Sequence, residues 1–220
     1  MASGSNATII RISGPWNTPQ KLRGKYILVA DALEKYLNLN LSINLYRCLK
    51  SINETEEYLI KYSIEHGFKG APVACMAWQQ EFIAFLGFKI AAVYGPPEKI
   101  SMKQYENIVR NASQAEVILI IDNIQSGVEF GEKLASIIGG VEVSITNFPG
   151  IYPELKNMTM VMKWNVERLS KALAEAKLKG EINRLREEIK TLRIIAIFSS
   201  ILAIILLIIS ISLVLRIRRK

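Results

Sequence analysis

The sequence predicts an α/β lobe built on a parallel four-stranded sheet flanked by helices, followed by a helical stalk and one transmembrane helix. Three observations predict it. Short apolar runs bounded by turn residues alternate with stretches of helical periodicity between residues 72 and 145, the pattern of strands joined by crossover helices. A run without charge fills residues 194–215, and a charged segment of helical character leads into it. A chain of 220 residues then has room for one domain with its own core and for its connecting helices.

The chain divides on this reading into an N-terminal segment (1–18), the lobe with its leading helices (19–156), the stalk (157–193), the transmembrane helix (194–215) and a basic tail (216–220). Leu22, Tyr26, Ile27, Ala30, Leu33 and Leu37 recur at helical spacing and predict a helix over 19–36. Leu45, Leu49, Ile52 and Leu59 predict a second over 42–62, or the continuation of one long interrupted helix. His66, directly before Gly67, stands at a helix-end signal and reads as part of a cap before it reads as a metal ligand.

Residues 72–76, 89–94, 117–122 and 141–145 read as buried strands, with helices over 78–86, 103–112 and 128–138 between them. Strands separated by helices must run parallel, because the crossover returns the chain to the same end of the sheet. Gly95-Pro96-Pro97, Gly139-Gly140 and Pro149-Gly150 mark loops at strand ends, where such sheets carry ligand sites. After Pro153 the helical region holds Ile182, Leu185, Ile189 and Leu192, spaced alternately by three and four among charges. It reads as a solvated stalk, with a short coiled coil that pairs two copies into a homodimer as the alternative.

The run 194–215 is about 33 Å long as a helix at ~1.5 Å per residue, enough to cross a hydrocarbon core of about 30 Å. Its polar members are Ser199, Ser200, Ser210 and Ser212, and Arg193 and Arg216 bracket it. The net charge of +8 includes Arg216, Arg218, Arg219 and Lys220 just past the span. The excess therefore reads as a membrane-interface feature, and no nucleic-acid partner is expected. The acid-free tail is placed in the cytoplasm and the lobe outside the cell, as a single-pass protein of the cell membrane.

Asn6, Asn40, Asn53, Asn111 and Asn157 each begin an N-x-[ST] sequon and are glycosylation candidates on an extracytoplasmic lobe. Residues 1–10 have neither the charged nor the apolar region of a signal peptide. Either a signal peptide and further N-terminal sequence precede Met1, or the C-terminal helix directs insertion with the opposite orientation.

Two cysteines, Cys48 and Cys75, show no CxxC spacing and signal neither a zinc site nor a disulfide framework. No P-loop, nucleophile elbow, HExxH or telling carboxylate pair is present, and an enzyme is not expected.

The segment Gly14-Pro15-Trp16-Asn17-Thr18-Pro19 opens a long helix, residues 73–88 end in Phe85-Leu86-Gly87-Phe88, residues 87–101 give a strand and loop, and Trp164-Asn165-Val166-Glu167-Arg168-Leu169 lies in a later helix. In this order and spacing, residues 13–175 resemble the C-terminal half of the metal-ion substrate-binding proteins of ABC importers, which capture zinc or manganese. The resemblance implies a membrane-anchored substrate-binding component, or a truncated remnant of one, working with an ABC permease. It also implies a separate N-terminal lobe, because the family holds its metal between two α/β lobes.

The family's ligand positions fall on other residue types here. Its His-x-Trp histidine falls on Gly14, the ligand near the end of the strand on Met76 and the later carboxylate on Asn147. Glycine has no donor atom to offer, and Met and Asn are poor partners for zinc or manganese. Cys75 and Met76 offer two soft sulfur atoms suited to Cu(I), although neighbours on a strand point to opposite faces; the alternative is that both are core residues. Asp122, at the end of an apolar strand, is either a remnant of a ligand site or a cap for the following turn. The candidate metal residues are thus Cys75, Met76, Asp122 and Asn147, with zinc, manganese, copper or no ion as the occupant. A membrane-anchored interaction or scaffold domain that keeps the fold without metal is the alternative function.

Overall fold

The computed structural model describes residues 8–218 of the chain. Asn6, Arg219 and Lys220 lie outside the described residues. Two compact units meet between Ala176 and Lys177.

The first unit opens with two helices whose ends follow from local chemistry. Thr18 caps α1 (Pro19–Leu37) by accepting a hydrogen bond from the Lys21 amide at 3.3 Å, and Pro19, lacking an N–H, suits the first turn. Asn38 ends α1 in the left-handed region. Helix α2 (Ser42–Glu65) closes on His66, whose amide reaches the Tyr62 carbonyl at 3.0 Å, so His66 is the cap that the sequence predicts.

The alternating segment then folds as β1 (Pro72–Met76), a 3₁₀ turn (Ala77–Gln79) leading into α3 (Gln80–Phe85), β2 (Lys89–Tyr94), α4 (Met102–Gln114), β3 (Leu119–Asn123), α5 (Glu129–Ile138) and β4 (Val141–Ile145). The four strands form one parallel sheet in the order β2-β1-β3-β4. This is the predicted fold class. Strand β3 starts two residues later than predicted because the Val117 amide is taken by the Ala112 carbonyl at the end of α4, with Glu116 at φ 51° turning the chain.

The period of two along each strand sorts the sheet into two cores. Val73, Cys75, Leu119, Ile121, Val143 and Ile145 face one side with Leu22, Ile52 and Leu59 of the leading helices. Ala74, Met76, Ala92, Tyr94 and Ile120 face the other, covered by Ile108 and Ala112 of α4 and Leu134 and Ala135 of α5. Gly140 lets the chain pass this layer closely, since a Cβ there would stand 2.7 Å from Ile120 Cδ1.

Helix α6 runs from Met158 to Ile217. Over residues 158–176 it belongs to the lobe: Met162, Val166, Leu169, Ala172 and Leu173 complete the first core. The physical reason is the sheet itself. Its first face has apolar side chains along β1, β3 and β4, and the leading helices alone do not cover them. From Lys177 onward the helix belongs to the second unit. Among the described residues α6 is the one helix long and apolar enough to cross a membrane.

Candidate functional site

The order β2-β1-β3-β4 sends the chain to one side after β1 and to the other after β3, so these neighbouring strands form a topological switch point. Ligand sites in open parallel sheets collect outside the carboxyl ends of the strands at such a point. A half-open cleft of about 700 Å³ lies here. Its walls are the turns after β1 (Ala77, Trp78, Glu81), β3 (Asn123, Gln125, Ser126) and β4 (Asn147, Phe148), together with the segment 14–17 that precedes α1.

A side-chain network fixes these four segments. Asn17, buried to 4% exposure, donates through Nδ2 to the Trp78 carbonyl at 2.9 Å and contacts Asn147 Oδ1 at 3.4 Å. Asn147 Nδ2 donates to the same Trp78 carbonyl at 3.2 Å. One carbonyl thereby joins the strap before α1 to the turns after β1 and β4. Asn123 accepts from the Gln125 amide at 2.8 Å, and the Gln125 side chain donates to Thr146 Oγ at 2.6 Å. Thr146 is held in turn by Asn165 of α6, which accepts from its amide at 3.1 Å and donates to its carbonyl at 2.7 Å. Helix α6 thus positions the loop that carries Asn147 and Phe148.

The surface facing the opening is aromatic and amide-rich. Trp16, Trp78 and Phe148 are exposed large rings, and Asn17, Asn123, Gln125 and Asn147 supply amide groups. Among the described residues Glu81 is the single charged lining residue; its carboxylate lies 3.9 Å from Lys21. Asn17 Oδ1 is buried without a hydrogen-bond partner, an omission that costs about 1–3 kcal/mol unless a donor fills it. Gly14, where the resemblance places a histidine, lies against the Trp16 indole: a Cβ there would come within 3.1 Å of Cδ1.

The four candidate metal residues are not brought together. Asn147 and Gly14 line the cleft. Cys75 and Met76 are fully buried and lie in the two different cores, on opposite faces of the sheet, so they do not share one ion. Burial also pushes the Cys75 thiol up to about 12, the reverse of what a thiolate ligand needs. Among the described residues no group of three or more His, Cys, Asp or Glu side chains is placed to hold a metal.

Asp122 is fully buried. The turn is capped by Asn123, while the Asp122 side chain points away into the second core. The Tyr94 hydroxyl donates to its Oδ1 at 2.7 Å, and a Cβ on Gly131 of α5 would collide with its Oδ2. Glu142 of β4 is on the same face. Burial first, and the neighbouring acids after it, raise Asp122 to about 6 and Glu142 to about 7. Asp122 Oδ2 and Glu142 Oε1 are buried without an N–H or O–H donor. A proton on one of the two carboxyls would let it donate to the other.

The four described sequon asparagines are exposed. Asn53 accepts from Arg23 at 2.8 Å and Asn157 accepts from the Met160 amide at the start of α6, so both carry structural hydrogen bonds. Asn40 accepts from the Ser42 amide and Asn111 lies on α4.

No family model matches the chain, and no curated protein matches its sequence. Solved structures do share its fold. The laminin-binding adhesin Lmb of Streptococcus agalactiae aligns with a TM-score of 0.61 at 13% identity, over 76% of this chain and 67% of that one. A periplasmic metal-binding protein of Candidatus Liberibacter asiaticus aligns with 0.62 at 11% identity, over 78% and 69%. ZnuA aligns with 0.58 at 12%, over 71% and 58%. At this identity the likeness is one of fold. The chain spans roughly three fifths to two thirds of the length of these structures.

Proposed function

We propose that the protein is a membrane-anchored binding lobe that keeps the fold of metal-ion solute-binding proteins but takes an uncharged ligand with a flat apolar face, of which a neutral saccharide is the best-fitting class. One observation carries this reading: the cleft at the switch point is lined by Trp16, Trp78, Phe148 and four amides, with Glu81 as its one charge. Exposed indole faces stack on flat apolar surfaces. Amide groups both donate and accept, as a row of hydroxyl groups requires. Among the described residues no cation lines the cleft to answer a phosphate or carboxylate. A ligand hydroxyl donating to Asn17 Oδ1 would complete its hydrogen bonding.

In this reading α6 crosses the cell membrane through residues 194–215, with the lobe outside and the basic tail in the cytoplasm, beside an ABC permease if the transport role of the fold is kept. The reading as a zinc or manganese importer component, completed by a separate lobe, is favoured by the fold alone: a ZnuA structure with zinc and a manganese-bound protein of Candidatus Liberibacter asiaticus share it.

Two measurements on the full chain purified from membranes separate the readings. Elemental analysis is expected to show far less than one zinc, manganese or copper per chain, and a panel of neutral oligosaccharides is expected to quench tryptophan fluorescence and raise the Tm of the lobe. Trp78→Ala is expected to weaken this binding at least tenfold, about 1.4 kcal/mol. Near-stoichiometric metal that is lost in Asn147→Ala would overturn the proposal in favour of the importer.

A further inference from the structure

The second unit presents an exposed apolar stripe. Leu178, Ile182, Leu185, Ile189 and Leu192 are alternately four and three residues apart and are each between 41% and 64% exposed. We infer that this stripe is one half of a parallel two-stranded coiled coil, and that α6 pairs with α6 of a second copy along one seam that continues into the membrane.

Three features of the segment single out this occupant. Isoleucine at Ile182 and Ile189 and leucine at Leu178, Leu185 and Leu192 is the a/d combination that favours parallel dimers. The flanking g positions are then Glu181 and Glu188, and the e positions five residues on are Arg186 and Arg193. In a parallel pair Glu181 meets Arg186 of the second copy and Glu188 meets Arg193, four attractive contacts in all. An antiparallel pair would instead set glutamates against glutamates and arginines against arginines. Within one helix Glu188 also lies 3.7 Å from Arg184, an exposed pair too weak to compete with packing at the seam.

The third feature is continuity. The same heptad phase carried past Leu192 reaches Ala196, Ser199, Ala203, Leu206 and Ser210. From residue 194 to 210 every small residue lies at a, d or, for Ser200, the adjoining e position, while Ile, Leu and Phe fill the rest. Aqueous helices associate by burying large apolar side chains; helices in lipid associate where small residues let backbones approach. The change of residue type at the expected membrane boundary, without a change of phase, is what one seam crossing both solvents requires. Gly180 falls on the outer face, where nothing lies within 4 Å of its missing Cβ. The lipid half of the seam rests on the membrane anchor proposed above; the aqueous half does not.

Disulfide cross-linking of the full chain in lipid vesicles tests it, in a Cys48→Ser background that leaves the buried Cys75 in place. Leu185→Cys and Ala203→Cys, on the seam, are expected to give a disulfide-linked dimer about tenfold faster than Glu187→Cys and Ile201→Cys on the outer face. Arg186→Glu with Arg193→Glu is expected to weaken the dimer several-fold, and adding Glu181→Arg with Glu188→Arg to restore it. Near-UV circular dichroism of the lobe identifies any variant that has failed to fold, and the same contrast can be read at Arg184→Cys and Leu192→Cys. Equal rates on both faces, absence of a dimer, predominance of larger species or failure of the charge swap to restore pairing would overturn the inference. If the chain does not partition into vesicles, the Leu185→Cys and Glu187→Cys rates measured in solution still decide the aqueous seam, and only the anchor reading fails.

Discussion

At Asp122 and Glu142 the same burial that keeps the second core dry also stores a dependence on acidity. Both carboxyls titrate higher in the folded lobe, about 6 and 7, than in the unfolded chain. Their protonated forms therefore stabilise the fold: the contribution is complete below about pH 4 and is lost as the pH rises through about 6 to 7. Melting of the lobe followed by circular dichroism is expected to give a lower Tm at pH 8 than at pH 5. Asp122, with no exposure, accounts for on the order of 1–2 kcal/mol of that change, because about one pH unit of its raised range lies above pH 5. Asp122→Asn combined with Glu142→Gln is expected to flatten the profile; a profile as steep as that of the unaltered chain would place the effect elsewhere. Asp122 was visible in the sequence as a polar residue at a strand end, but not its direction. Only the register that pairs Asp122 with Ser144 and Ile120 with Glu142 puts both acids on the α5 side of the sheet.

Among the elements, α6 does two kinds of work along one helix. Its first five turns form part of the lobe core and hold Thr146 through Asn165. Asn165→Ala leaves the buried amide and carbonyl of Thr146 without partners and is expected to cost about 2–4 kcal/mol in a urea melt, with faster hydrogen exchange in residues 144–148. Unchanged stability would mean that the loop after β4 is held by Arg168, whose Nε donates to the Ser144 carbonyl at 2.9 Å. The strands were legible because buried runs such as 72–76 and 141–145 follow glycine signals, Gly70 and Gly139-Gly140, and the alternation fixed their parallel pairing. In the first turns of α6, Lys163, Glu167, Arg168 and Lys171 alternate with the apolar positions and mask their helical period. The stripe of Val161, Met162, Val166, Leu169 and Leu173 behind those charges was the available signal. The cleft was less legible still: Trp78, Asn123, Gln125 and Phe148 are far apart in the chain and meet only because β1, β3 and β4 end side by side.

For the whole molecule, the boundary at Ala176 has a direct test in chain length. A chain ended at residue 156 lacks the helix that covers Val73, Leu119, Ile121 and Val143, and is expected to be insoluble or unfolded by circular dichroism. One ended at residue 180 is expected to melt cooperatively; loss of folding there would show that the lobe needs the second unit. The cleft carries a further consequence. Apart from Glu81, its polar groups are amides and hydroxyls, which neither gain nor lose a proton between acid and alkaline surroundings and carry no charge for salt to screen. A metal site built from histidines and carboxylates would empty as they protonate. If the cleft takes the neutral ligand proposed above, its binding is expected to change little with acidity or added salt for as long as the sheet beneath it stays folded.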